Sequence, residues 1–560
     1  MAQMDAFAPL PKGEDLTLDI ATAAKPLAPL ATSAAARSAQ LNQLQPTQPK
    51  HKRKPKEKPP IGEDVPRDRL LNRPDAPDAR AEVIEARILP PQPAKPATAK
   101  PGAKKPGAKK TASGLTAAPT VATFIGGTDT QTVSPPDTAG GVGRKFVLTA
   151  LNDMVYVHDR TGKVLSAVSL DAFWRRVVKD PSLDTFDPRI VYDQKSDRFY
   201  FAAMANAESP KSCLLLAVST TNNPGGAWRG VQTAVDPAQS VSGAVWLDFP
   251  SIGFSDDKIT VTVNLFKIAG NTFAGASIYV FEKSNLLVPT GPVTVKRFDL
   301  FNKGSTFVPA VTRDPGTADH WLANRWSGSQ LALYRITGSV AAGSAALVPA
   351  GFVMSPGSAW NSFGQLPGGK FLQAPQTAVK NTVDPGDDRL LAMVLRHKTL
   401  FVSHGIFLPA VSPDRTAAQI WRIDTTGFAT TTLRIDRPSG GAGKPIFVSY
   451  PTVDVNRAGD LLIGHAWLSA ALRPSGALTF LAGGNPTAAT TMVFAPGLDS
   501  YQSSDRWGDY SVTQVDPQDD ATFWTQQERA AKRVKKVTIW QTVWAVLVAP
   551  LSPAPPAATA

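Results

Sequence analysis

From about Thr120 onward, apolar and polar residues alternate over short runs, and turns rich in Asp, Asn, Gly and Pro separate those runs. Alternation with a period of two predicts β-strands, because successive side chains of a strand point to opposite faces. A longer pattern is laid over the alternation: an aromatic residue or Asp, a Pro, a strand, an Asp-rich turn and a second strand. Copies begin at Asp187 (DPRIVYDQKSDRFYFAAM), Phe249 (FPSIGFSDDKITVTVNLF), Val308 (VPAVTRDPGTADHWLANRW), Ala374 (APQTAVKNTVDPGDDRLLAM), Tyr450 (YPTVDVNRAGDLLIGHAW) and Asp509 (DYSVTQVDPQDDATFWTQQE). Successive copies start about 60 residues apart, the longest interval being about 76. A further unit without the Pro starts at Gly141, with a turn at Asp159-Arg160-Thr161-Gly162.

Evenly spaced multi-strand units predict an all-β fold, a single β-propeller of seven blades, with six as the alternative. Each blade has two apolar faces that only its neighbours cover, so a closed ring leaves no sheet exposed. Residues 121–549 are assigned to the propeller. Closure predicts that the strand VATFI (Val121 to Ile125) completes the sheet made by Val537 to Val548.

The first 120 residues have a different texture, dominated by Ala, Pro, Lys, Gln and Thr, with HKRKPKEKPP at His51 to Pro60 and AKPGAKKPGAKK at Ala99 to Lys110. Such a segment buries too little apolar surface to offset its ordering entropy, which predicts a long disordered basic tail over 1–120 and a short one over 550–560. Within it, Asp75 to Ile88 carries the spacing of a short amphipathic helix. No apolar h-region of a secretory signal is visible in the first 30 residues, and no apolar run is long enough to span a membrane.

Charge is unevenly placed. Residues 1–120 hold 20 Lys and Arg against 12 Asp and Glu, which leaves 39 against 34 for the rest. The cluster Arg529, Lys532, Arg533, Lys535 and Lys536 accounts for that remaining excess, so composition argues against a broad nucleic-acid face. The tail itself reads as a spacer or as a contact for an anionic surface. Cys213 is the only cysteine, which excludes an intrachain disulfide and a cysteine-based zinc cluster.

Two segments, PPDTAGGVG from Pro135 to Gly143 and RWGDYSVTQVDPQDDATFW from Arg506 to Trp524, resemble an uncharacterised family of bacterial, usually exported, propeller-type proteins. AVSTTNNPGGAW from Ala217 to Trp228 is similar to a third-strand turn of the same family. The resemblance covers roughly residues 135 to 547 and implies the propeller fold and an extracellular or cell-envelope setting. It implies no reaction and no catalytic residues. The chain departs from the family at Ala521, where relatives carry Cys, and in lacking a visible export signal.

The candidate ligand-binding residues are Asp187, Arg189, Asp248, Arg325, Tyr450, Asp505, Arg506 and Asp509, which stand at or beside the starts of inner strands and would converge on one mouth of the ring. Carboxylates converging there would suit Ca²⁺, which takes six to eight oxygens, whereas each Asp alone would cap a turn. Aromatic groups such as Trp246, Trp326 and Trp507 would either stack on sugars or fill the space between blades. His320, His404 and His465 lie in no recognised catalytic spacing. The sequence therefore predicts a non-catalytic propeller on a flexible basic stalk, binding protein or glycan at one face of the ring. The alternatives are a glycan-acting hydrolase or lyase at the channel mouth, and a structural subunit of an envelope assembly.

Overall fold

The computed structural model describes residues 14–18, 21–23, 82–84 and 120–548, except 235–243, 289–290, 302–303, 368–369, 441–442 and 535. Three short strands come from the N-terminal region, β1 (Glu14–Leu18), β2 (Ala21–Ala23) and β3 (Glu82–Ile84), and β4 (Thr120–Thr128) follows. β5 (Ala139–Val142), β6 (Phe146–Ala150), β7 (Met154–Asp159) and β8 (Val164–Ser169) then form an antiparallel sheet. After helix α1 (Leu170–Val177), β9 (Thr185–Asp193), β10 (Arg198–Ala205), β11 (Cys213–Ser219) and β12 (Trp228–Ala234) form the next, with β2 on its outer edge. β13 (Val245–Phe254), β14 (Lys258–Lys267), β15 (Phe273–Glu282) and β16 (Val293–Phe301) continue the series.

The fourth run contains β17 (Val308–Pro309), β18 (Val311–Thr312), β19 (His320–Ser327), β20 (Gln330–Thr337) and β21 (Ala346–Met354). It is followed by β22 (Leu390–Arg396), β23 (Thr399–Leu408), β24 (Arg415–Asp424) and β25 (Thr430–Ile435), then by β26 (Phe447–Val455), β27 (Leu461–Ser469), β28 (Leu472–Leu481) and β29 (Ala489–Ala495). β30 (Val512–Val515), β31 (Phe523–Ala530) and β32 (Trp540–Val548) complete the chain, and β4 returns as the fourth strand of their sheet. That pairing, Val121 with Leu547 and Ile125 with Val543, is the closure expected for VATFI.

The sheets form an all-β propeller arrangement. First strands touch in the order β5, β9, β13, β17, β22, β26, β30 and back to β5, so the succession closes on itself. Each sheet is buried on both faces: β11, β26 and β27 have no exposed position, and separate apolar clusters fill the interfaces between successive sheets.

The expectation of seven separate blades, or six, needs correction. Among the described residues five sheets of four or five strands stand alone, while β13–β16 and β22–β25 belong to one eleven-stranded sheet. The link is β18, which bridges Phe254 through Val311 and continues to Val394 and Leu395. Because this first strand is split at Ala310, β17 pairs with β19 while β18 turns its backbone groups to both neighbours.

The copy read from Ala374 is also corrected. Its residues 374–389 form no first strand; Ala374 pairs only with Val383 in an isolated bridge, and the first strand of that unit is β22, which starts at Leu390 within the second half of the copy. Of the segment Asp75 to Ile88, Glu82–Ile84 is a strand beside β25 instead of part of a helix, and the remainder lies outside the described residues. An isolated helix of that length is marginal, whereas an open strand edge offers ready-made partners. The rest of the predicted tail and residues 549–560 also lie outside the described residues. No helix among the described residues is long and apolar enough to cross a membrane.

Candidate functional site at the capped end of the ring

Antiparallel order places the starts of all first strands at one end of the ring. Three connections cross that end: 129–138, 355–389 and 496–511. They are tied to one another and to the blades. Gln376 donates to the Tyr501 carbonyl at 2.5 Å and accepts from the Tyr501 amide at 2.7 Å, the Asp384 amide donates to the Asp505 carbonyl at 2.7 Å, and the Tyr450 hydroxyl donates to the Asp384 carbonyl at 2.7 Å.

Beneath this cap the backbone is strained in a repeating way. Asp187, Phe249 and Tyr450 hold φ of 55°, 51° and 54°, each directly before a Pro, and the strand register slips at all three. A residue before Pro ordinarily adopts an extended conformation, so a left-handed one is costly, about 1–3 kcal/mol each. The resulting bulges turn the side chains towards the ring axis. Asp137 and Thr306, ahead of β5 and β17, share the left-handed conformation, with φ of 47° and 49°.

The bulges gather ionisable side chains. Asn152 donates to Asp137 at 2.5 Å and accepts from the Asp187 amide at 2.7 Å. Asp137 accepts from the Asp509 amide at 2.9 Å, Asp187 accepts from the Phe249 amide at 3.1 Å, and Arg506 pairs with Asp509 at 2.8 Å. Arg189 lies 4.3 Å above the Tyr510 ring, and Arg389 lies 4.0 Å above the Phe249 ring while binding Asp387 through both oxygens at 2.6–3.0 Å.

Burial, with Asp509 and Asp187 close by, pushes the Asp137 carboxyl well above the usual carboxylate range. Glu528 is pushed up in the same way by burial and by Asp137 and Asp129. Burial also lifts Asp129 to about 7 and Asp153 to about 6. Burial works against the Arg506 cation, but Asp509 and Asp137 overcome it and hold the group protonated. Glu528 Oε1 and the Tyr510 hydroxyl are buried without a hydrogen-bond partner, and a Cβ at Gly508 would lie 3.1 Å from Glu528 Oε2.

Of the residues singled out from sequence, Asp187, Arg189, Tyr450, Arg506 and Asp509 come together here, and half-buried Asp248 acts electrostatically on Arg389. Asp505 is exposed on the outer side of the cap. Arg325 stands one strand further out, pairing with buried Asp388 at 3.3 Å and lying 4.5 Å above Phe363. Sequence reading missed Asp137, Asn152, Asp387, Arg389, Tyr510 and Glu528. Arg389 had a signal: Asp387 and Arg389 repeat the spacing of Asp187 and Arg189, hidden because Ala374 was read as the start of that unit.

His320, His404 and His465 take no part. His404 is buried, with Nδ1 against the Asp388 carbonyl at 3.1 Å and Nε2 accepting from the Trp421 indole at 3.0 Å. His320 bridges Thr260 and the Ala310 carbonyl at 2.8 Å each. Burial pulls both, and His465, down to about 3. Trp246 and Trp507 are likewise buried, and Trp326 packs 5.0 Å from Phe352.

Below the charged layer runs a narrow cavity of about 90 Å³, lined by residues that include Thr138, Arg189, Met393, Thr452 and Ser511. It has room for a few waters but not for a sugar ring. Arg313 and Asp454, paired at 2.6 Å and buried, stand towards its far end. Among the described residues no group of three or more His, Cys, Asp or Glu is placed to hold a metal ion.

No protein-family model matches the chain, and no curated protein matches it. Solved structures give distant likenesses. An ACO/RPE65 chimera aligns with a TM-score of 0.36 and 12% identity over 65% of this chain and 73% of its own. The phage phi92 endosialidase gives 0.35 and 8% over 64% and 66%, and a Trypanosoma rangeli sialidase mutant displaying trans-sialidase activity gives 0.33 and 11% over 64% and 53%. The chain thus spans about half the length of the trypanosome enzyme.

Proposed function

We propose that the chain is a β-propeller binding module whose capped end takes a polyhydroxylated ligand, a glycan, in an extracellular or envelope setting. The observation that carries the function is the cluster of mutually facing buried charges gathered by left-handed residues before Pro at the capped end. Well-packed apolar side chains there would be as stable or more so, and left-handed residues before Pro weaken the fold, so stability has been given up locally. Such concessions mark sites. Carboxylates accept from sugar hydroxyls, guanidinium groups donate to them, and aromatic rings pack on sugar faces.

The test is a glycan array probed with the full-length chain and with Asp248→Asn and Arg389→Lys. Roughly tenfold weaker binding in each variant is expected, with the melting temperature little changed for Asp248→Asn and lowered for Arg389→Lys, whose pair with Asp387 is buried. Absence of any bound glycan, or variants that bind as the parent does, would refute the reading.

One observation favours the hydrolase alternative: burial and neighbouring carboxylates push the Asp137 and Glu528 carboxyls well above the usual carboxylate range beside the Arg506–Asp509 pair. A neutral carboxyl next to a charge-paired one is the arrangement general acid catalysis uses. If a bound glycan is cleaved, Asp137→Asn should abolish turnover while binding persists.

A further inference from the structure

Of the cations clustered near the C-terminus in sequence, Lys532, Arg533 and Lys536 lie outside the strands of the ring and outside its capped site. β31 runs towards the capped end and β32 runs back, so the connection 531–539 projects at that end from the blade that closes the ring. It forms a finger. The Val534 and Val537 amides each donate to the other's carbonyl at 2.9 Å, and both side chains are exposed, by 43% and 39%. Lys532, Arg533 and Lys536 are exposed around them, Arg533 gripping Asp499 at 2.6 and 3.0 Å. Exposed Arg473 and Lys380 add to the same sector, since the Thr377 amide donates to the Leu472 carbonyl at 3.0 Å.

We propose that this finger docks on an anionic lipid surface. A soluble polyanion would satisfy the cations and leave two valines in water. A lipid surface takes both, the cations at the level of the phosphates and the valines at the boundary of the acyl chains. Val411, 82% exposed in the loop after β23, and exposed Phe371 in the cap lie at the same end of the ring. Docking through the rim of one blade places the capped mouth against that surface without threading the chain through it. The contact stands independently of which ligand the mouth takes.

The test is sedimentation of the full-length chain with vesicles of phosphatidylglycerol and phosphatidylcholine, against phosphatidylcholine alone. Variants are Lys532→Ser with Lys536→Ser, and Val534→Ser with Val537→Ser; all four positions are exposed, so thermal melting should match the parent. Binding to the anionic vesicles is expected, weaker by roughly fivefold for each cation removed and by roughly fivefold or more for the valine pair. Binding to soluble dextran sulfate should be insensitive to the valine pair. Failure to bind the anionic vesicles overturns the proposal. Variants that sediment as the parent also overturn it, because the basic N-terminal region would then carry the attraction alone. Loss with the lysine pair but not the valine pair rejects a lipid surface in favour of a soluble polyanion.

Discussion

Asp187 shows how much one residue does at the capped end. Its left-handed backbone turns the carboxylate inward, where it caps the Phe249 amide, while its own amide is held by Asn152. Asn tolerates that conformation and offers the same acceptor, whereas Ala does neither. Asp187→Ala should therefore cost about 2–4 kcal/mol in urea unfolding and Asp187→Asn about 1 kcal/mol or less. Protonation makes a second test. Asp129 is raised to about 7 in the fold but ionises near 4 when unfolded. Its contribution is complete below about pH 4 and is lost as pH rises towards 7, so Asp129→Asn should flatten the melting temperature across that window. The buried histidines act oppositely. Held near 3, they contribute fully above about pH 6.5 and lose that contribution as pH falls through 3.

Elements differ in how much they hold together. The interface between the last blade and the first rests on a small apolar cluster, Val142, Val147, Trp524 and Trp544, and Trp544 also donates to Thr149 at 2.9 Å. Trp544→Ala is expected to cost about 3–5 kcal/mol in chemical denaturation, because cavity and lost hydrogen bond coincide at the seam. Gly140→Ala tests the same seam from the other side, since its Cβ would run into the Trp544 ring. Strand legibility followed burial. The first strands β9, β13 and β26 were visible because Pro and an aromatic residue or Asp mark the bulge each carries at Asp187, Phe249 and Tyr450. The first strand at Leu390 was not, because its marker is Asp387-Asp388-Arg389 and a look-alike segment precedes it in the cap.

At the scale of the molecule, closure is the unifying feature. β4 enters from the N-terminal side and pairs with β32 from the C-terminal side, so every blade has two neighbours. Deleting residues 120–128 would leave the edge of β32 open and the closing blade one strand short. Cooperative melting in calorimetry should then give way to a broad transition or aggregation. A chain that still melted sharply after that deletion would show that closure contributes little.

The sequence by itself determined the all-β class, the repeat, the strand that returns to close the ring and several residues of the charged end, because period-two patterning and turn residues act locally. Only the tertiary structure decided which charges meet. Asp137, Asp187, Arg389, Asp509 and Glu528 are scattered over nearly 400 residues of chain and become neighbours because the ring brings strand starts to one end. The raised proton affinities of Asp137, Arg389 and Glu528 follow from burial and from neighbouring charges, quantities that exist only once the ring has closed.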